Sequence, residues 1–425
     1  VNTNAKWSFV QITQGFIGIT RPDGLLIIHQ KRAYQRILFD QFIDTFTNKN
    51  CESQQLLFPE TLQLNSGDKI IFLEIIDHIK NLGFDIAPNP DGTYSILGLP
   101  ASLQEENPQF IEFWVETPEA NAERITFYAL LDGESVTGAF RFEFAPGIDS
   151  VVDVSATLHP RRRIHKIGLA PLSSMFLTGE NDRRVLSDWR PELHDSDGLL
   201  VNTGAGEWLW RPLRNPARQE ISSFVDRDVK GFGLMQRDRT FEHYQDLDLS
   251  YELRPSYWIE PREGWGEGRI ELIEAPAKDD TQNNIFVSWV PNTPVEVGKP
   301  ISLSWRITSS FDMRRLSPNG RAIATFQTPP RAFGSSEPVL PGSRRFIIDF
   351  AGGELRYFQT QPEAVEIVAS TTAGEISRSF VQVNPQTGGF RAVFDVQLAP
   401  GQSGDLRTFL RTGSRALTET WTFPW

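Results

Sequence analysis

Ile125-Thr126-Phe127-Tyr128-Ala129-Leu130 is followed by Asp132-Gly133 and then by Ala139-Phe140-Arg141-Phe142-Glu143-Phe144. Apolar side chains at alternate positions put one face of an extended chain against a core and turn the other away. An Asp-Gly pair between two such runs is a turn signal, because glycine adopts the backbone angles that a tight reversal needs. The stretch therefore reads as strand, turn, strand. From about residue 110 onward helical periodicity nearly vanishes, and pairs such as Pro146-Gly147 and Asn319-Gly320 punctuate further alternating runs. The larger part of the chain is expected to be mainly β, with packed sheets forming a sandwich.

Upstream the character differs. Phe16-Ile17-Gly18-Ile19 and Leu25-Leu26-Ile27-Ile28 flank Pro22-Asp23-Gly24 and read as a hairpin,. Two helical segments follow, one with Ala33, Ile37, Leu38, Phe42 and Ile43 on a face, the other with Ile70, Leu73, Ile76, Ile79 and Leu82, ended by Gly83,. Residues 1–105 thus form a smaller α/β segment. Downstream, the chain loosens between about 305 and 340, at Ser309-Ser310, Ser317-Pro318-Asn319-Gly320 and Pro329-Pro330. Beyond it, Phe346 to Phe350, Ala364 to Val368, Phe390 to Val396 and Thr418 to Phe423 alternate as strands of one module. The expected division is 1–105, a β-sandwich over 106–325 and an immunoglobulin-like domain over 330–425.

With 425 residues, the chain has the length of about three ordinary domains,. A net charge of −12 argues against a surface that wraps nucleic acid, so nucleic acid is not the expected partner,. One cysteine, Cys51, excludes an intramolecular disulfide and a cysteine-rich zinc site,. No run approaches the length of apolar chain that spans a bilayer, and Val1-Asn2-Thr3-Asn4-Ala5-Lys6 has neither the basic end nor the apolar middle of a signal peptide,. The six histidines, at 29, 78, 159, 165, 194 and 243, show no paired ligand spacing. No metal and no cofactor is expected. Gly-x-Ser-x-Gly and Gly-Lys-Ser/Thr motifs are also missing.

Chemistry concentrates in Asp188-Trp189-Arg190-Pro191-Glu192-Leu193-His194-Asp195-Ser196-Asp197-Gly198 and the following Gly206-Glu207-Trp208-Leu209-Trp210-Arg211-Pro212. Sugars offer hydroxyls to carboxylates and guanidiniums and apolar C–H faces to flat rings, so a glycan site needs both kinds of partner. Trp208 and Trp210, two apart on a strand, share one face, either stacking on glucose rings or filling the sandwich. Arg211, Tyr244, Arg254 and Tyr257 are candidates for bonding sugar hydroxyls, or for structural ion pairs. His194 either tunes its neighbour Asp195 or is a buried, hydrogen-bonded histidine. His159-Pro160-Arg161-Arg162-Arg163 has the composition of a phosphate patch and equally that of a solvated strand edge.

Phe113-Trp114-Val115-Glu116-Thr117-Pro118, Gly168-Leu169-Ala170-Pro171-Leu172-Ser173-Ser174-Met175-Phe176, Arg190-Pro191-Glu192-Leu193-His194-Asp195, Gly231-Phe232-Gly233-Leu234-Met235-Gln236-Arg237 and Leu253-Arg254-Pro255-Ser256-Tyr257-Trp258 resemble the periplasmic glucan biosynthesis proteins of the OpgG and OpgD type. The resemblance runs from about residue 110 to the C-terminus. It implies a periplasmic location, a β-glucan polysaccharide as partner, and a site like that of an inverting β-1,2-glucan hydrolase. Inversion uses one acid to protonate the leaving oxygen and one base to activate water on the opposite face. By the same resemblance Asp195 stands at the general base. The general acid falls in Asp279-Asp280-Thr281-Gln282-Asn283-Asn284-Ile285, at Asn283. An amide does not deliver a proton, so the implied hydrolase is impaired and binding is what survives. Asp279 and Asp280 are the nearest substitute acids.

Gln14-Gly15-Phe16-Ile17, Leu26 to Phe39, Gln54-Gln55-Leu56-Leu57-Phe58-Pro59, Leu82-Gly83-Phe84-Asp85 and Gly98-Leu99-Pro100-Ala101 resemble the C-terminal dimerisation domain of MutL mismatch-repair proteins. This implies a homodimer through residues 1–105, and it supplies the alternative function, a mismatch-repair dimerisation module. In nuclease members the central motif supplies metal ligands; here His29, Lys31 and Gln35 stand in their places, and a lysine repels the cation, so no endonuclease is expected. The two patterns meet over residues 102–112 and imply different compartments. The chain reads as a hybrid, with strand edges exposed at the seam.

Overall fold

The computed structural model describes residues 8–13, 16–21, 24–29, 53–62, 64, 66–81, 84–88, 93–100, 106–184, 188–331, 338–399 and 401–425. The chain divides into two compact units, Val1–Glu105 and Glu106–Trp425.

In the first unit, strands Phe16–Arg21 and Gly24–His29 pair antiparallel as the expected hairpin, and Ser8–Thr13, which the sequence reading did not foresee, adds a third strand. Strands Ser53–Leu62, Tyr94–Pro100 and Asp85–Pro88 make a second sheet, and the helix Ser66–Asn81 contributes to a small core with them. The buried centre is Phe72, Ile86 and Tyr94, the rings of Phe72 and Tyr94 lying 4.7 Å apart. This shifts the expected helical face. Phe72, Ile76 and Ile79 point inward, at i, i+4 and i+7, whereas Leu73, about 100° further round, is 55% exposed,. The other expected helix, with Ala33, Ile37, Leu38, Phe42 and Ile43, lies outside the described residues, as do Leu82, Gly83, Lys31 and Gln35.

The second unit is mainly β. A 13-stranded sheet runs from Gln109–Val115 at one edge to Glu366–Thr371 at the other. The four-stranded sheet of Leu169–Ser174, Ile285–Pro291, Glu267–Glu274 and Glu220–Arg227 shares one core with it. A second four-stranded sheet, Arg321–Thr328, Ser343–Ala351, Gly389–Gln397 and Glu375–Asn384, shares another. The strand Arg321–Thr328 already belongs to this C-terminal layer, while Ser309 and Ser310 end a continuous strand, Ile301–Ser310.

The central strand Gly198–Asn202 explains the layering. Leu199 and Val201 enter the first core and Leu200 the second, so alternation buries both faces,. Its neighbours, Trp208–Pro212 and Gly231–Met235, do the same. Close packing in the second core demands glycine at two positions: a Cβ on Gly198 would lie 2.2 Å from Trp210, and one on Gly231 2.3 Å from Trp258. At one edge of the sheet, strand Gln109–Val115 is exposed throughout, with Phe113 60% and Val115 67% exposed.

Candidate functional site

Asp195 lies in the short link between Leu193–His194 and the central strand Gly198–Asn202. Leu193–His194 pairs with Phe176–Thr178, and the Asp195 amide donates to the Met175 carbonyl at 2.9 Å. The Asp197 amide donates to Met235 O at 2.9 Å, and Asp197 O accepts from the Leu213 amide at 3.0 Å. Both ends of the link are therefore held by backbone bonds, which limits how far the Asp195 carboxylate can wander.

That carboxylate is 30% exposed, and Arg254 Nε stands 3.2 Å from its Oδ1. The contact is ionic, and neither atom has a well-aligned hydrogen-bond partner,. Burial raises the Asp195 carboxyl above its ordinary range; the charges of Arg254 and His194 oppose the shift, and the charge of Asp280 adds to it,. A carboxylate raised in this way is a better proton acceptor at neutral pH.

Asp280 belongs to a network that sequence reasoning did not assemble. Its Oδ2 accepts from Arg190 Nη1 at 2.8 Å and from Tyr251 Oη at 2.9 Å. Arg190 also donates to Asp246 at 3.0 Å and grips Asp188 through Nε and Nη2 at 3.0 and 2.8 Å. This hydrogen bonding holds the Asp188 carboxyl down at about 2. Arg254 in turn lies over the Tyr251 ring, 5.5 Å from its centroid, which links the network back to Asp195. The separations of 56 and 90 residues between Arg190 and its acids explain why no spacing rule finds them.

Asn283 is exposed and donates from Nδ2 to Ser173 Oγ at 3.1 Å. Asn284 beside it is structural, its amide joining Phe176 N and O and Ala275 O at 2.9 Å each. Asp279 is turned into a local bond with Thr281. Asn283 and Asp195 are thus anchored to the same short segment, at Ser173 and Met175.

His194 is fully buried. Its Nδ1 faces Gln236 Oε1 at 3.0 Å and its Nε2 faces Glu192 Oε2 at 3.1 Å. Burial opposes its protonation, but the Glu192 hydrogen bond and the charges of Asp197, Glu192 and Glu180 prevail and raise it,. Burial likewise pushes Glu180 up to about 8, with Glu192 and Asp197 adding to the rise. Tyr244, also fully buried, bonds Gln236 Nε2 at 3.0 Å. His194 and Tyr244 therefore support the Asp195 link from behind and do not meet a ligand.

Two further expected contacts, Trp210 and Arg211, are also internal, and Trp208 is half-buried. Trp210 is buried in the second core beneath the Arg237 guanidinium, 3.5 Å from the ring centroid, and Trp208 stacks on Trp258 at 5.7 Å. Arg211 is buried opposite them, donating to Glu274 at 2.8 Å, and burial lowers it to about 10. The indole of this stretch that meets solvent is Trp189, 68% exposed beside Arg190. Of the residues expected to touch sugar, Arg254 and Tyr257 remain accessible, Tyr257 lying on strand Ser256–Pro261 opposite Leu234. The basic run is neutralised locally: Arg161 pairs with Asp132, Arg162 with Glu134 and Arg163 with Glu296.

Glu192, Asp238 and His243 bring one ligand atom each within 4.8 Å of one another, a grouping the sequence separation hides. Their atoms are already engaged, His243 with Asp238 at 2.5 Å and Glu192 with His194. Among the described residues no helix is long and apolar enough to cross a membrane.

Comparison with known proteins is consistent with this architecture. Residues 98–425 match the family described as periplasmic glucan biosynthesis protein, MdoG, and residues 9–116 match the MutL C terminal dimerisation domain, so the two matches overlap at the seam. A probable glucans biosynthesis protein D of Shewanella oneidensis is 43% identical over 324 residues, 76% of this chain and 59% of that protein. Glucans biosynthesis protein D of Xanthomonas campestris pv. campestris is 42% identical over 328 residues, covering 76% and 60%. That of Stenotrophomonas maltophilia is 41% identical over 321 residues, covering 75% and 60%. The chain thus spans about three fifths of the length of these curated relatives. With its match extending over residues 98–425, the chain belongs to the MdoG family of periplasmic glucan biosynthesis proteins.

Proposed function

We propose that residues 106–425 act in periplasmic glucan biosynthesis by binding a β-1,2-linked glucan beside Asp195, in a site of inverting glycoside-hydrolase type whose proton donor is replaced by Asn283. The observation that carries this reading is the Asp195 carboxylate, held on both sides by backbone bonds, open to solvent and raised by burial. In the parent chemistry the base takes a proton from water, the water oxygen attacks the anomeric carbon, and the leaving oxygen receives a proton from the acid. Asp195 suits the first role. Its backbone anchor and the side-chain anchor of Asn283 lie two residues apart, at Met175 and Ser173.

Asn283 has no proton to give, and Asp280 is a poor substitute because its Oδ2 is already engaged by Arg190 and Tyr251,. Sugar recognition falls to Trp189, Arg254 and Tyr257, with His194 and Tyr244 as positioning residues. In this reading residues 106–325 form the glucan domain and 330–425 an immunoglobulin-like domain. The test is incubation of linear β-1,2-glucan with the natural chain, Asn283→Asp and Asp195→Asn/Asn283→Asp. Binding without cleavage by the first, oligosaccharide release by the second and none by the third are expected. Failure of both the natural chain and Asn283→Asp to bind or cleave the polymer rejects the reading.

The match of residues 9–116 to a dimerisation domain supports a second role, a homodimer formed through residues 1–105 without endonuclease activity. Sedimentation over a range of concentrations tests it, and a strictly monomeric chain rejects it.

A further inference from the structure

A cleft of about 420 Å³ opens where the C-terminal end of strand Gly231–Met235 meets the turn after Ile301–Ser310 and the start of Arg321–Thr328. Four arginines line it, Arg237, Arg239, Arg314 and Arg321, with Asp312 as the acid in the wall. Two of the four are neutralised. Arg237 donates to both oxygens of Glu419, at 2.5 and 3.0 Å, and Arg314 is bound to Asp312 at 2.8 and 2.9 Å.

The other two are not. Arg239 is held by the carbonyls of Phe311, Glu252 and Arg254, at 3.0, 2.8 and 2.8 Å, and its Nη2 is buried with no partner. Among the described residues no carboxylate forms an ion pair with Arg321. Burial lowers Arg321, the charge of Arg237 lowers it further, and Glu419 offers partial relief. Four guanidiniums at one cleft are thus paired with two carboxylates, Glu419 and Asp312, and in a half-enclosed space water screens the excess positive charge weakly,. A multivalent oxyanion removes that cost, since guanidinium forks match its oxygens in pairs.

We propose that this cleft is a binding site for a phosphate monoester carried on a small polyol or sugar. A phosphate monoester carries about −1.5 to −2 charges near neutral pH, which matches the two free guanidiniums. The volume exceeds what a bare ion fills and falls in the range of small-molecule pockets,. The site is separate from the Asp195 carboxylate but backs onto it. Gln236 lines the cleft, and its side chain bonds His194 O at 3.0 Å and Tyr251 O at 3.1 Å, so an occupied cleft stiffens the wall behind Asp195.

The test is calorimetric titration of the full chain with inorganic phosphate, glycerol 3-phosphate and glycerol, at low and high salt, repeated with Arg321→Gln and Arg314→Gln. Saturable binding of the ester, weakened by salt and about tenfold or more by Arg321→Gln, is expected, with no binding of glycerol. Arg314→Gln, at an exposed side chain, is expected to weaken it less and guards against misfolding of the other variant. Equal affinity for inorganic phosphate supports the site with the anion as its ligand, and tighter ester binding adds the polyol. No saturable binding of either anion, or binding untouched by both substitutions in folded protein, overturns the proposal.

Discussion

His194 and Glu192 form a buried pair, with Nε2 3.1 Å from Oε2. Gln236 Nε2 is directed at three acceptors, His194 O, Tyr251 O and Tyr244 Oη, which leaves Oε1 toward His194 Nδ1. An amide oxygen accepts, so Nδ1 carries a proton; Nε2 faces the Glu192 carboxylate and carries another,. This arrangement favours the imidazolium, in keeping with the raised proton affinity of His194,.

The first prediction follows directly. Imidazole NMR of the natural chain shows His194 doubly protonated above the pH at which an exposed histidine loses its charge. Glu192→Gln removes the strongest stabilising partner and lowers that titration,. A neutral His194 at pH 6.5, the ordinary histidine value, refutes the assignment.

Above the ordinary carboxylate range, stability should fall as pH rises. Glu180, Asp195, Asp197 and His194 are all raised, so in that range these four groups hold more protons in the folded chain than in the unfolded one, whereas the lowered acids, such as Asp153 and Asp188, are ionised in both. For Glu180 the stabilisation is complete below its ordinary value of 4.5 and is lost as pH climbs through about 8,. Over the span from 4.5 to about 8 the loss attributable to Glu180 is roughly 5 kcal/mol at about 1.4 kcal/mol per unit,. Denaturant unfolding across this window measures it, and Glu180→Gln flattens the curve. An increase in stability with pH contradicts the network.

Arg211 and Glu274 form a buried pair in which neither charge has an exit to water. Arg211→Met leaves Glu274 with Arg214 as its remaining cationic partner and costs about 3–5 kcal/mol,. Adding Glu274→Leu restores much of that loss, because the uncompensated charge is removed together with its partner. Additive losses in a double-mutant cycle speak against coupling.

The tryptophans separate by exposure. Trp210→Ala opens a cavity in the second core and lowers stability by about 3–5 kcal/mol,. Trp189→Ala changes stability by about 0.5 kcal/mol or less but weakens glucan binding several-fold,. Affinity gel electrophoresis with β-1,2-glucan reads the second effect, and equal retardation of natural chain and Trp189→Ala removes Trp189 from the site.

The β character of the larger part was legible because alternation is a local property, set by strand geometry wherever Phe140, Phe142 and Phe144 sit in the fold,. Asp195 was singled out by the resemblance of the motif around it, which is written in consecutive residues, but the groups that act on its carboxylate, Arg254 and Asp280, come from distant parts of the chain. What alternation does not tell is which of two buried faces a side chain enters. Trp208 and Trp210 share a side of their strand, as the spacing predicts, yet that side packs against the C-terminal layer and Arg211 fills the other.

The helix Ser66–Asn81 shows the same division on a smaller scale. Its sequence carries apolar residues on most of its circumference, so periodicity establishes a helix while the partners Ile86 and Tyr94 decide that Phe72 turns inward and Leu73 does not,. The chain's own residues determined the strands, the helix and the carboxylate at Asp195. Tertiary structure alone brought Arg190 to Asp246 and Asp280 and gathered four arginines about one cleft. Charges meet across long loops only after the sheets have packed, and no local rule of spacing records where those loops end.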